Sequence, residues 1–333
     1  MSAPADPAPI VRLTTAYWDA QALLTANRLQ LFDAFDAGPR SADEVAAALG
    51  LHPRATRLFL NALAGLGLLQ AADGRYSHTP ASQLFLSTRS PATMGNALRY
   101  ADHLYDAWGK LEQSLRNGAP VVPAASYLGE DEARTQAFVR GMRDRATAIG
   151  RALVALVDVA GRKRMLDVGG GPGTYSDLFT ARYPGLHATV LELPGVARVA
   201  RGLIAESGAS ERVDFLEGDY LATPFPQGND FVLMSGMFHR ETPEQCRRLI
   251  ANAYSSLVPG GLLAISDVFT DAGGATPAFA SLFGLNMLLT APDGTVHADA
   301  DVAAWMAEAG FGDLATRAFP PPMPHRVVTG LRK

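Results

Sequence analysis

The chain predicts an α/β protein in which a doubly wound parallel sheet follows an all-helical domain of winged-helix pattern. Three observations predict it. From Arg162 onward, apolar runs of strand length alternate with helical stretches, as βαβ units require. The first of those runs breaks into an acid and a glycine cluster, Met165-Leu166-Asp167-Val168-Gly169-Gly170-Gly171-Pro172-Gly173. Before residue 160 the period is helical, with one β-like interruption at 74–78.

A chain of 333 residues has room for two cores. Hydrophobic residues make up 48% and the formal net charge is −4, so neither nucleic acid nor an anionic membrane is expected as the main partner. The single Cys246 excludes an intramolecular disulfide and a cysteine-based metal site, and it fits a reducing compartment. No metal is expected. Residues 1–10 have neither the basic nor the apolar region of a signal peptide and read as a short disordered leader. The most apolar run, 277–290, is shorter than a bilayer span and contains Asn286. These features predict a cytoplasmic protein.

The elements follow in order. Residues 11–91 form the winged-helix domain, 92–160 linking helices, and 161–333 the sheet domain. Over 15–36, Trp18, Leu23, Leu24, Leu29, Leu31, Phe32 and Phe35 are too dense for a surface helix. Ser41 with Glu44 reads as a capping box opening a short helix through Leu49. His52-Pro53 leads into a helix carrying Leu58, Leu60, Leu63, Leu66 and Leu69. A turn and short strand occupy 74–78, and another helix starts near Ala81. Segments 92–116 and 130–160 read as two further helices, separated by an irregular stretch with Pro120 and Pro123. Strands are expected at 164–168, 188–193, 213–217, 231–235 and 262–267, with 314–318 and 327–331 closing the sheet as an antiparallel pair.

In an open α/β sheet the ligand lies beyond the carboxyl ends of the strands, so the residues at those ends carry the chemistry. The first strand ends at Asp167 and a turn whose glycines at 169, 171 and 173 let a ligand approach the backbone. The following helix points its N-terminal amides the same way. A dinucleotide fingerprint would place its third glycine at 174. Here 174 is Thr and the glycine falls at 173, which suits a nucleoside without a pyrophosphate better than NAD. The second strand ends at Glu192, an acceptor for a ribose diol. The third ends in Glu217-Gly218-Asp219-Tyr220, placing an acid near an adenine amino group and an aromatic near its face. The fourth ends in Ser235-Gly236-Met237-Phe238-His239 and the fifth at Asp267. Acids thus stand at four strand ends and a histidine at the other.

With these motifs the Rossmann-like half resembles the cofactor domain of class I S-adenosylmethionine methyltransferases. The resemblance is to small-molecule O-methyltransferases of the caffeic acid/acetylserotonin type and their bacterial relatives. It rests on D-V-G-G-G-P-G at 167–173, L-E-L-P-G-V at 191–196, G-D-Y at 218–220, F-H-x-x-x-P-E-Q-C at 238–246, L-x-P-G-G at 257–261 and A-G-F at 309–311. The winged-helix half is similar to that family's dimerisation region, which implies a homodimer. The resemblance implies that Gly169, Gly171, Glu192, Asp219, Tyr220 and Ser235 contact S-adenosylmethionine, with Asp167, Gly173 and Leu193 completing the set. It also implies that His239 is the general base for a hydroxyl on a small aromatic or polyketide-like acceptor. A histidine suits that task, because its charge changes near neutral pH.

The chain departs from the family in three places. Ser235 stands where plant relatives usually have Lys. His239-Arg240-Glu241 replaces the common H-D-W. Of the two acids that flank the base in the family, Asp267 matches the first. The second falls near Val296, where His297 is either a substitute or an ordinary loop residue. The acceptor pocket is expected from the linking helices and the 277–290 helix, with Phe138, Met142, Met237, Phe283, Asn286 and Met287 as lining residues. Tyr100, His103 and Trp108 form an aromatic group on a linking helix.

The residues after His239 keep a second reading open, in which the same cofactor serves C-methylation, decarboxylation, hydroxylation or a pericyclic reaction. A DNA-binding regulator is the third. Arg54 and Arg57 fall on its recognition helix, but Leu58, Leu60 and Leu63 dominate there and the wing adds only Arg75. That leucine-rich surface points to burial between subunits instead.

Overall fold

The computed structural model describes residues 5–122 and 128–333. They fall into two compact units, divided between His103 and Leu104.

In the first unit, α1 (Ala8–Arg28) begins earlier than the expected leader allows. The Ala8 N–H donates to the Asp6 carboxylate at 2.9 Å, and Pro7 presets the entry to the helix. Residues 8–10 are therefore helical, and residues 1–4 of the expected leader lie outside the described residues. After β1 (Arg40–Ser41), α2 (Ala42–Leu49) opens on the expected box. Ser41 Oγ accepts the Glu44 N–H at 3.2 Å, and Glu44 accepts the Ser41 N–H at 2.6 Å. α3 (Pro53–Gly65), β2 (Leu69–Ala72), β3 (Arg75–His78) and α4 (Pro80–Phe85) follow.

The domain is not all-helical, because its strands form a small antiparallel sheet in the order β1-β3-β2. Leu69 opens a strand rather than extending the helix, since Gly67 takes a left-handed φ of 72° and turns the chain. Leu60 and Leu63 join Leu31, Phe32, Phe35 and Val45 in the core of this unit. Of the three leucines expected on a surface, only Leu58 is exposed. Two of the three basic residues there are paired, Arg57 with Asp43 at 3.4 Å and Arg75 with Glu44 at 2.8 Å. On α1, Ile10, Val11, Leu13, Tyr17 and Trp18 are exposed.

α5 (Gly95–Trp108) crosses the division. α6 (Leu111–Asn117) and α7 (Glu132–Leu156) follow, so the single helix expected over 92–116 is two, parted at Gly109-Lys110. Pro123 lies outside the described residues.

The sheet domain alternates as the sequence predicts. It runs through β4 (Arg164–Val168), α8 (Thr174–Arg182), β5 (His187–Glu192), α9 (Pro194–Ser207), β6 (Val213–Glu217) and β7 (Asn229–Ser235). It continues through α10 (Pro243–Ser256), β8 (Leu257–Val268), α11 (Ala278–Thr290), α12 (Asp299–Glu308), β9 (Phe311–Ala318) and β10 (His325–Arg332). The strand order is β6-β5-β4-β7-β8-β10-β9. The first five are parallel, and β10 runs antiparallel to both its neighbours.

Leu249, Ile250, Trp305 and Met306 from α10 and α12 cover one face, while Leu153, Phe179 and Ile204 from α7, α8 and α9 cover the other. That double cover explains why the inner strands read as nearly continuous apolar runs. β8 starts five residues earlier than expected. The register against β7 shifts there, between Asn229 and Phe231, and takes in the Pro259-Gly260-Gly261 run. The winding reverses between β4 and β7, and the crevice at that switch point is where the sheet receives a ligand. Among the described residues no helix is long and apolar enough to cross a membrane.

Candidate functional site

The turn after β4 takes left-handed values at Gly169, Gly171 and Gly173, with φ of 64°, 54° and 72°. Gly173 is the N-cap of α8, so the helix amides face the crevice. Glu192, at the end of β5, holds this turn. One carboxylate oxygen accepts the Gly171 N–H at 2.8 Å and the other accepts the Leu193 N–H at 2.7 Å. Burial pushes the Glu192 carboxyl up, while those two amides pull it back. Each oxygen keeps a second lone pair for an incoming hydroxyl.

Asp167 is fully buried beneath the turn. Ser176 donates to its Oδ2 at 2.7 Å, and its Oδ1 has no partner. Burial pushes this carboxyl up to about 7, against the hydrogen bond from Ser176 and with the help of the charge on Glu192. A Cβ at Gly170 would stand 2.6 Å from the Asp167 Cγ. A Cβ at Gly171 would meet nothing within 4 Å, so open space faces that glycine.

A cavity of about 250 Å³ lies next to this end of the sheet, lined by Leu128, Leu193, Asp219, Tyr220, Arg240 and Glu241 among others. Asp219 is exposed and accepts the Leu221 N–H at 2.8 Å. The Tyr220 ring lies on Gly169, where an added Cβ would be 3.2 Å from its Cε1. Its hydroxyl donates to Glu241 at 2.7 Å. Burial holds the Tyr220 phenol well above its usual range, with the negative Glu241 adding to the effect.

The residue after β7 that matters most for chemistry is His239, on a 3-10 turn at Phe238–Arg240. Its Nδ1 lies 2.8 Å from Asp267 Oδ1, and its backbone N–H reaches Asp267 Oδ2 at 3.3 Å. The Val268 N–H adds a third bond to the same carboxylate at 2.8 Å. Burial alone would raise Asp267, but the charge and hydrogen bond of His239, together with Val268, hold it below the usual carboxylate range. A carboxylate at Nδ1 makes that nitrogen the protonated one and leaves Nε2 with its lone pair. Phe283 of α11 meets the imidazole edge to face, with centroids 4.9 Å apart.

His297 lies beneath this turn. Its Nε2 is 3.1 Å from the Phe238 carbonyl and 3.0 Å from the Glu241 carbonyl, with the Cys246 sulfur at 3.6 Å. It serves the backbone of the turn, and its ring rests on Trp305. Ser235 is buried at the end of β7, where the Tyr175 hydroxyl bonds to it; burial pushes that phenol up to about 12. Among the described residues no group of His, Cys, Asp and Glu has the arrangement of a metal site.

The expected lining residues divide. Phe283 stands beside His239, and Met237 is buried against the glycine turn. The Asn286 side-chain oxygen accepts the Trp108 indole N–H at 3.0 Å, and Met287 is buried. Met142 is half-buried on α7, and Phe138 packs with Val139, Val196, Leu203 and Leu193. Tyr100 and His103 belong to the first unit. Sequence reasoning missed Tyr175 as a partner of Ser235 and Glu241 as a partner of Tyr220. Neither link has a local signal, since each joins elements far apart in the chain.

Residues 103–312 match the family model of the O-methyltransferase domain, and residues 11–88 match that of the O-methyltransferase dimerisation domain. The chain is 32% identical to a 3-hydroxy-5-methyl-1-naphthoate 3-O-methyltransferase of Streptomyces sahachiroi, over 98% of its own length and 95% of that protein. It is 30% identical to the tetracenomycin polyketide synthesis 8-O-methyl transferase of Streptomyces glaucescens, over 94% and 93%. The solved structure of the S-adenosylmethionine-dependent methyltransferase SibL, in its apo form, superposes with a TM-score of 0.78 at 31% identity, covering 98% of this chain and 99% of that one.

Proposed function

The chain belongs to the O-methyltransferase family, and from that premise we propose how its own residues bring a methyl group from S-adenosylmethionine to the hydroxyl of a small aromatic or polyketide-like acceptor. The residues present fit this cofactor. Open space at Gly171 leaves the backbone accessible, and the unpartnered, buried Oδ1 of Asp167 favours a cationic group nearby. Glu192 would take the ribose hydroxyls, Asp219 the adenine amino group, and Leu193 and Tyr220 the faces of the base. Gly169, Gly173 and Ser235 complete the set. When bound, S-adenosylmethionine supplies an electrophilic methyl group on a sulfonium.

His239 takes the acceptor proton at Nε2. Asp267 keeps Nδ1 protonated and stabilises the imidazolium that forms. Phe283, with Asn286 and Met287 on the same helix, Met142 on α7 and Met237 on the turn, orients an aromatic ring over the base. Such positioning supplies much of the rate in a bimolecular transfer. The observation that carries this reading is the 2.8 Å contact between His239 Nδ1 and a buried, charged Asp267. A panel of phenols and hydroxynaphthoates with methyl-labelled S-adenosylmethionine tests it. A labelled methyl ether and released S-adenosylhomocysteine are expected, and no product across the panel would sink the proposal.

The enzyme is proposed to be a cytoplasmic homodimer with neither a nucleic-acid nor a membrane partner. The dimerisation-domain match and the exposed apolar residues of α1 support the dimer. The acid partners of Arg57 and Arg75 argue against DNA. Sedimentation showing only monomer at micromolar protein would count against the assembly.

A further inference from the structure

We propose that Glu241 and His297 are positioning residues that hold the turn carrying His239, and that Glu241, through Tyr220, fastens this turn to the glycine turn of the cofactor site. The proposal rests on the reading of His239 as the base.

A 3-10 turn makes poor hydrogen bonds of its own and depends on neighbours for its carbonyls. Here one short segment supplies them. The Thr295 N–H takes the carbonyl of His239 itself at 2.9 Å. His297 Nε2 spans the carbonyls of Phe238 and Glu241, which precede and follow the base. His297 is 7% exposed, so these bonds are shielded from solvent. The floor of the base is thus set by residues 295–297.

The side facing the cofactor is set differently. Glu241 is 6% exposed and directly follows the turn. A buried carboxylate is costly: burial pushes this one up, while the Tyr220 hydroxyl and the charge of Arg240 pull it back against Asp293 and Asp219. An apolar side chain would fill the space without that cost. Besides an attraction to the neighbouring Arg240, the carboxylate adds the 2.7 Å bond from the Tyr220 hydroxyl. The same phenol ring covers Gly169, so one side chain touches both the floor of the cofactor site and the turn that bears the base. A shift of the glycine turn on cofactor binding reaches His239 through those two contacts.

The test follows the ring nitrogens of His239 by NMR in full-length protein with ¹⁵N-labelled histidine, with S-adenosylhomocysteine as the probe. In the parent protein the probe is expected to move these signals, and Nδ1 is expected to be the protonated nitrogen. Tyr220→Phe removes one oxygen and leaves the ring on Gly169. It should still bind the probe, lose the response of His239, and lower kcat about tenfold at unchanged KM. Glu241→Ala should behave alike, and Glu241→Gln, which keeps an accepting oxygen, should restore the response. His297→Leu should mix the two tautomers of His239, and His297→Gln, which keeps a donor, should limit the mixing. An unaltered response in Tyr220→Phe, or a Glu241→Gln variant as impaired as Glu241→Ala, would overturn the proposal. Its failure is separable from failure of the base assignment. His239→Ala with full turnover would remove the base, whereas the NMR response reports on the link between the two turns by itself.

Discussion

Asp167 and Asp267 are the same residue type, both buried, on strands that flank β7 on either side. Their carboxyls move in opposite directions. Asp167 is pushed up to about 7, and Asp267 is held below the ordinary range. Burial raises both, so depth does not separate them. The neighbours do: the Ser176 hydroxyl, an orphaned oxygen and the negative Glu192 at Asp167, against the charge and hydrogen bond of His239 and two backbone amides at Asp267. A strand-end acid in this sheet is kept charged or kept ready for a proton by what points at it. Charge at Asp267 is what a base on Nε2 requires, because it fixes the proton on Nδ1.

The largest effect that would break this contrast is expected from His239→Ala. Turnover should fall by about 10²–10⁴-fold while S-adenosylhomocysteine affinity, read by calorimetry, stays level. Equal turnover would mean that the charge on Asp267 serves only the fold. Asp267→Asn keeps the shape but removes the charge that selects the tautomer, and kcat should drop by about a hundredfold or more.

Stability sharpens the comparison next. A carboxyl raised on folding contributes most below its unfolded pKa, and that contribution is lost as pH rises through the folded value. Asp167 should therefore make unfolding easier between about pH 4 and 7, by an amount on the order of 4 kcal/mol. Urea midpoints of Asp167→Asn should show that slope removed, with the variant more stable than the parent above pH 8. Asp267 works in the opposite sense: its contribution is present above its unfolded pKa and disappears as pH falls through its lowered folded value. The smallest effect is expected from Ser176→Ala, which removes the hydroxyl donor to Asp167. A loss of about 1 kcal/mol is expected, with the pH-dependent fall moved upward. An unchanged pH profile in that variant would show that the hydroxyl does not set the carboxyl.

The fold was legible where chemistry and periodicity coincide. The strand at 164–168 and the ends of β5, β7 and β8 stand within one residue of expectation, because each apolar run stops at a residue that cannot be apolar. Beginnings were harder to see. Pro259-Gly260-Gly261 reads as a turn, yet it lies within β8 where the strand register slips. Leu69 continues a helical spacing, and only the φ of Gly67 removes it from the helix. In the site, Glu192, His239 and Asp267 were legible because a strand end fixes where a side chain points. Glu241 and His297 were visible only as departures from a pattern. Their partners come from distant loops, and no spacing in the chain encodes that meeting. For Phe138, helical position named a face but not its neighbours, which are the cluster of Val139, Val196 and Leu203.

The crowding at Gly170 has a genetic consequence. Unlike the glycines on either side, it has no positive φ to demand glycine; the carboxylate of Asp167 occupies the place of its Cβ. The two positions therefore behave as a single heritable trait. In a saturation library, side chains at 170 should survive only in clones that have also shortened residue 167, so the spacer of the glycine motif can diversify only as fast as the buried acid is given up.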